Sequence, residues 1–91
     1  MHFCLFYDYV PDVLTKRTPF RNDHLALIKE FHGAGKLVFA SAFDPATDGA
    51  LIVFKGDSAE VAESFVKRDP YVKNGVVTGH RIKPWTVVVG G

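Results

Sequence analysis

One cysteine, one tryptophan and almost no net charge are the scarcities that bound this 91-residue chain. Cys4 has no partner, so no internal disulfide can form, as suits a reducing cytoplasm. It lies in an apolar strand-like run, where an inert buried thiol is the expected state. No apolar stretch approaches the roughly 20 residues that cross a bilayer. The N-terminal run Met1 to Tyr7 also lacks the basic region and small-residue cleavage site of a signal peptide. A formal charge of +1, with acidic and basic residues interspersed, provides no basic stripe for nucleic acid. The densest basic pair, Lys16-Arg17 with Arg21 close behind, reads as solvated surface or as an anion site at a helix start. The expected partner is therefore a small molecule, with neither nucleic acid nor membrane involved.

What is abundant is apolar and aromatic. Hydrophobic residues make up 47% of the chain and eight residues are Phe, a heavy load for one small core. At this length residues 1–91 allow a single domain, and part of that apolar area is expected in a subunit interface.

Periodicity orders the chain. Residues 2–9, HFCLFYDY, read as a first strand, and VPDVLTKRTP, with two prolines, reads as a loop. Pro19 or a cap at Asn22 or Asp23 would open a helix whose apolar stripe is Leu25, Leu27, Ile28 and Phe31, closed by Gly33 or Gly35. Lys36 to Phe43 and Ala50 to Lys55 read as a hairpin across the turn DPATDG. Asp57, with Glu60 three residues on, reads as the cap of a second helix buried along Val61, Ala62, Phe65 and Val66. That helix ends at Asp69, before Pro70, and a loop YVKNG leads to a strand from Val76 to about Val89 with a bend at Pro84. The order β-α-β-β-α-β predicts an α+β, ferredoxin-like sandwich: two helices on one face of a four-stranded sheet. The other sheet face would stay wet in a monomer, and packing two sheets face to face makes a homodimer the expected solution.

Few residues carry chemistry. His24 falls near the start of the first helix, where the helix field favours the neutral ring a general base needs. A half-buried His satisfied by one hydrogen bond fits the residues as well. Asp69 sits at a helix C-terminus, where a carboxylate needs a compensating donor. His24 is one such donor, and a plain ion pair of Asp69 with Arg68 or Arg21 is another reading. Arg21, three residues before His24, presents a planar fork suited to a carboxylate or phenolate. Ser41 and Asp44 stand in or just after the second strand, Tyr71 follows Asp69-Pro70, and Trp85 reads as a core or interface aromatic. The four His lack metal-ligand spacing. Gly33-Ala34-Gly35-Lys36 follows a helix and lacks the remaining features of a phosphate loop.

Arg21 with His24, Gly35 and the strand LVFASAF, Gly49 before a hydrophobic strand, Asp69-Pro70-Tyr71 and Gly75-Val76-Val77 together resemble the YCII-related (YciI-like) family over nearly the whole chain. The resemblance implies a ferredoxin-like dimeric α/β-barrel fold, similar to the muconolactone isomerase fold. It also implies a His–Asp pair in a cleft, falling on His24 and Asp69. One branch of the family is associated with dehydrochlorination of chlorinated hydroxyquinols. Many members carry Gly-Pro after the second strand, where this chain has Ala42-Phe43-Asp44-Pro45, a change in the expected pocket wall. Two functions follow as expectations. One is a cytoplasmic lyase or isomerase without cofactor or metal, with His24 moving a proton, Asp69 orienting it, and Arg21, Ser41 and Tyr71 binding substrate. The other is a non-catalytic ligand-binding or regulatory dimer using the same pocket.

Overall fold

The computed structural model describes residues 1–90 and forms one antiparallel sheet in the order β2-β3-β1-β4. Its strands are β1 (His2–Tyr9), β2 (Leu37–Ala42), β3 (Ala50–Lys55) and β4 (Val77–Trp85). Between β1 and β2 run a short helix α1 (Val13–Lys16), a 3-10 turn (Thr18–Phe20) and α2 (Arg21–Gly33). Between β3 and β4 run α3 (Glu60–Arg68) and α4 (Pro70–Lys73). This is the ferredoxin-like arrangement that the element order predicts.

The two strands richest in alternating apolar residues take the centre. Leu5 lies opposite Ile52, and Tyr7 opposite Ala50, so their side chains share one face. That face meets α2 through Leu27 and Phe31, and α3 through Ala62, Phe65 and Val66, all buried at helical spacing. Phe65 sits at the centre of an aromatic cluster, with its ring centroid 5.3 Å from both Phe31 and Phe54. The alternate residues Cys4, Phe6, Leu51 and Val53 point to the opposite face, where no helix lies. Burial raises the Cys4 thiol above its ordinary pKa, consistent with an inert residue.

Two glycines are required by backbone geometry. Gly35 closes α2 at φ 75°, the left-handed conformation that ends many helices. Gly49 has φ 110°, and a Cβ there would stand 2.2 Å from the Tyr7 carbonyl oxygen, so only glycine lets β3 start against β1.

The structure corrects several boundaries. The segment expected as a loop contains α1, held by the fully buried Val13. Pro19 is the second residue of the 3-10 turn, and α2 starts directly after that turn with no side-chain cap from Asn22 or Asp23. Asp57 does not cap α3; the Glu60 N–H donates to Ser58 Oγ at 3.4 Å, and the helix begins later than expected. Pro70–Lys73 is a helical turn rather than a loop. β4 stops at Trp85 because that residue already pairs with His2, leaving almost no β1 for Thr86 to Val89 to pair with. Trp85 is not a core residue: it is exposed, its ring edge-on to His2.

Candidate active site

α2 carries His24 in its first turn, on the stripe it shares with Leu27 and Phe31, so the imidazole is buried rather than solvated. Its Nδ1 lies 2.7 Å from Asp69 Oδ1, across 45 residues of chain. Asp69 is fully buried, and three groups converge on its carboxylate. The Tyr7 hydroxyl donates to Oδ2 at 2.7 Å, and the Tyr71 backbone N–H donates to Oδ1 at 3.0 Å. That last bond makes Asp69 the N-cap of α4, which reverses the unfavourable field expected of a carboxylate ending α3.

These bonds assign the tautomer. A carboxylate only accepts, so Nδ1 of His24 donates, which in the neutral ring leaves the lone pair on Nε2. No protein group among the described residues pairs with Nε2, and no buried side-chain nitrogen or oxygen among them lacks a partner, so Nε2 reaches solvent. It does so into a cleft of about 190 Å³ that His24 lines. The Tyr71 ring stacks on the imidazole, centroids 3.7 Å apart and planes within 6°, while Phe65 meets it edge-on at 6.3 Å. Carboxylate, phenol ring and Phe65 together fix the orientation of the ring.

The cleft runs from His24 along α2 to the edge of the sheet. Ile28, Ala40, Ala42 and Ile52 give it an apolar side, and Tyr9, Tyr71, Arg17 and Arg21 a polar one. The phenols remain protonated at neutral pH. Burial, reinforced by the charge and hydrogen bond of Asp69, drives Tyr7 far above its ordinary value of 10. Burial, with Tyr71 and Asp69 adding to it, pushes Tyr9 up to about 12 against the opposing pull of Arg17. Tyr71 is raised by burial too, while Arg17 and Arg21 act to lower it.

Of the residues expected from sequence, His24, Asp69, Arg21 and Tyr71 converge here. Ser41 touches the rim, but its pairing with Leu51 turns its side chain toward the open sheet face, and its hydroxyl donates to the Leu51 carbonyl at 2.7 Å. Asp44 is exposed and does not line the cleft. Neither Arg68 nor Arg21 pairs with Asp69; Arg68 binds Glu30 instead. Tyr7 and Tyr9 were not singled out from sequence, and Arg17 entered only with Lys16 and Arg21 as solvated surface or an anion site. Tyr7 carried a signal, since a tyrosine at an inward strand position needs a partner for its hydroxyl. The structure places Arg17 and Arg21, on either side of the 3-10 turn, on the cleft together.

The YCII-related domain family model matches residues 1–86 of the chain. An uncharacterized protein of Haemophilus influenzae is 28% identical over 98 residues, spanning 97% of this chain and 99% of that protein. The protein YciI of Escherichia coli is 30% identical with the same coverage. Among solved structures, 5-chloro-2-hydroxyhydroquinone dehydrochlorinase from Burkholderia phenoliruptrix, in complex with 2,5-dihydroxybenzoquinone, superimposes with a TM-score of 0.79. It shares 21% identity and the match covers 94% of each chain, a likeness of fold.

Proposed function

The chain belongs to the YCII-related domain family, and from that premise we propose that it is a cytoplasmic enzyme of lyase or isomerase type, transferring a proton on a small polar cyclic or aromatic compound. One observation carries the reading. A buried carboxylate holds His24 Nδ1 at 2.7 Å while Nε2 opens to the cleft, the geometry of an oriented general base. Nε2 takes a proton from the substrate, and the positive charge on the ring lies against Asp69. The released electron pair forms a double bond. A leaving group then departs with its own pair, or the proton returns at another atom. Arg21 steadies the anionic oxygen that develops, Tyr71 packs the base, and Ser41 lines the rim. Such proton transfer requires no metal or organic cofactor, and positioned acid–base groups contribute about 10²–10⁴-fold to rate. A dehydrochlorinase of the same fold supports the lyase form of the reading.

The same proposal pairs two copies through the open sheet face. Phe39 is 60% exposed there, beside Phe6 and Leu51, which no helix covers. Sedimentation at the monomer mass would overturn the pairing.

The test is turnover of hydroxylated ring compounds, chlorinated hydroxyquinols included. His24→Ala is expected to abolish it while the chain stays folded. Undiminished turnover by that variant would remove His24 from the chemistry. A compound bound through His24 and Asp69 but recovered unchanged would make the cleft a regulatory binding site.

A further inference from the structure

The polar side of the cleft has an imbalance that the His24–Asp69 pair does not explain. Arg17, Arg21 and His24 all line it, and no Asp or Glu does. Neither arginine forms an ion pair among the described residues, although Asp12 and Asp23 are close in sequence. Arg17 caps the end of α1 and Arg21 opens α2 on the far side of the 3-10 turn, and both line the same cleft. Two like charges lining one small cleft repel each other. Both guanidinium groups act on the Tyr71 phenol, and Arg17 also acts on Tyr9, so the two cations converge on one end of the cleft.

We propose that Arg17 and Arg21 form a two-point anion clamp, and that the ligand of this cleft is a small ring bearing two adjacent anionic oxygens or carboxylates. The proposal rests on the reading of the cleft as the reactive site and adds what that site selects. A ring fits between the apolar side and Tyr71 in a space of about 190 Å³. One anionic group is within Arg21's scope alone. The second needs Arg17, which makes Arg17 the residue that separates doubly from singly charged rings. The ligand relieves the repulsion between the two arginines, so binding gains from a charge the empty cleft leaves uncompensated.

The test uses phthalate, with two adjacent carboxylates, and benzoate, with one, titrated into the full chain near neutral pH while the His24 imidazole signal is followed by NMR. Phthalate is expected to bind about tenfold more tightly than benzoate, and Arg17→Met to remove about that factor for phthalate while changing benzoate by less than about twofold. Arg17→Lys, which keeps the charge without the planar fork, is expected to fall between the two. Thermal melting of each variant verifies that α1 stays folded. Equal affinities for the two rings, unchanged phthalate affinity in Arg17→Met, or binding of neither ring would overturn the clamp. The underlying reading fails separately: phthalate bound in an Arg17-dependent way without movement of the His24 signal keeps the clamp and removes the base from the site.

Discussion

Arg68 and Asp69 are neighbours in the chain, and both reach from the end of α3 to α2, yet the two contacts they make are physically opposite. Arg68 forks onto Glu30 with two hydrogen bonds, and the side chains are 53% and 57% exposed. Asp69 meets His24 with side chains 0% and 8% exposed. The hydrogen bond from Arg68 holds the Glu30 carboxyl below its ordinary range, and the same bond raises Arg68. Water and salt nonetheless screen that pair, and holding two long side chains in one geometry costs entropy. The buried pair has no such competitor, but it is costly to leave half-made. Two contacts between the same helices therefore do different work: one is a surface fastening, the other a rigid constraint on the orientation of the His24 ring.

The difference is open to direct attack. Asp69→Ala should have the largest effect, because it strips the acceptor from His24, Tyr7 and the Tyr71 N–H at once. A loss of about 3–5 kcal/mol is expected, visible as a fall in melting temperature at roughly 4–8 °C per kcal/mol for a domain of this size. A variant melting within a few degrees of the wild type would show that the buried pair does not hold the helices together.

Tyr7→Phe should cost less. It removes one hydrogen bond to a charged group, about 1.5–3 kcal/mol, and leaves the ring in the core. Because Asp69 then loses a partner on Oδ2 but keeps His24 on Oδ1, turnover should fall without vanishing, with an altered pH profile. Turnover and profile matching the wild type would confine Tyr7 to packing.

Alkaline pH should also act on the buried cluster. Tyr7 and Tyr9 hold their protons in the folded chain well past their ordinary value of 10, Tyr9 up to about 12. The unfolded chain therefore loses protons first as pH rises, so the stability present below pH 10 drains away through about pH 12. Melting curves across that window should shift downward, and Tyr9→Phe should flatten the shift. A melting temperature constant over the window would contradict the assignment.

Glu30→Gln should have the smallest effect. Its melting temperature is expected to be inseparable from that of the wild type at moderate salt, and turnover unaffected. A marked loss would mean that the surface pair contributes more than its exposure allows.

How far the molecule was legible differs from residue to residue. β1 and β3 were readable to the residue because each is a short apolar run, aromatic-rich in β1 and with Ile and Val in β3, bounded by turn residues. α1 was not, since four residues with one buried valine are too few to show a period, and Val13 is held by the hydrophobic core rather than by local preference. Asp69 was visible as a helix terminus but not as an N-cap, because Pro70 equally suits the end of one helix and the start of the next. Ser41 was visible as polar at a strand end, while the hydrogen bond its hydroxyl donates to the Leu51 carbonyl depends on the register of β2 against β3. Arg17 was left as surface or anion site because the 3-10 turn that brings it beside Arg21 has no period in the sequence.

Local chemistry in the sequence was enough to determine the element order and the ferredoxin-like class, and it named His24, Asp69 and Arg21 as candidates without joining them. Periodicity and turn preferences act over a handful of residues, and they settle such matters before any long-range contact forms. The tertiary structure alone decided that His24 and Asp69, 45 residues apart, meet at 2.7 Å and that Tyr7 joins them from 62 residues away. It also decided which ring nitrogen faces the cleft. Those outcomes depend on how two helices seat on a twisted sheet, to within fractions of an ångström, and spacing along a chain carries no such measure.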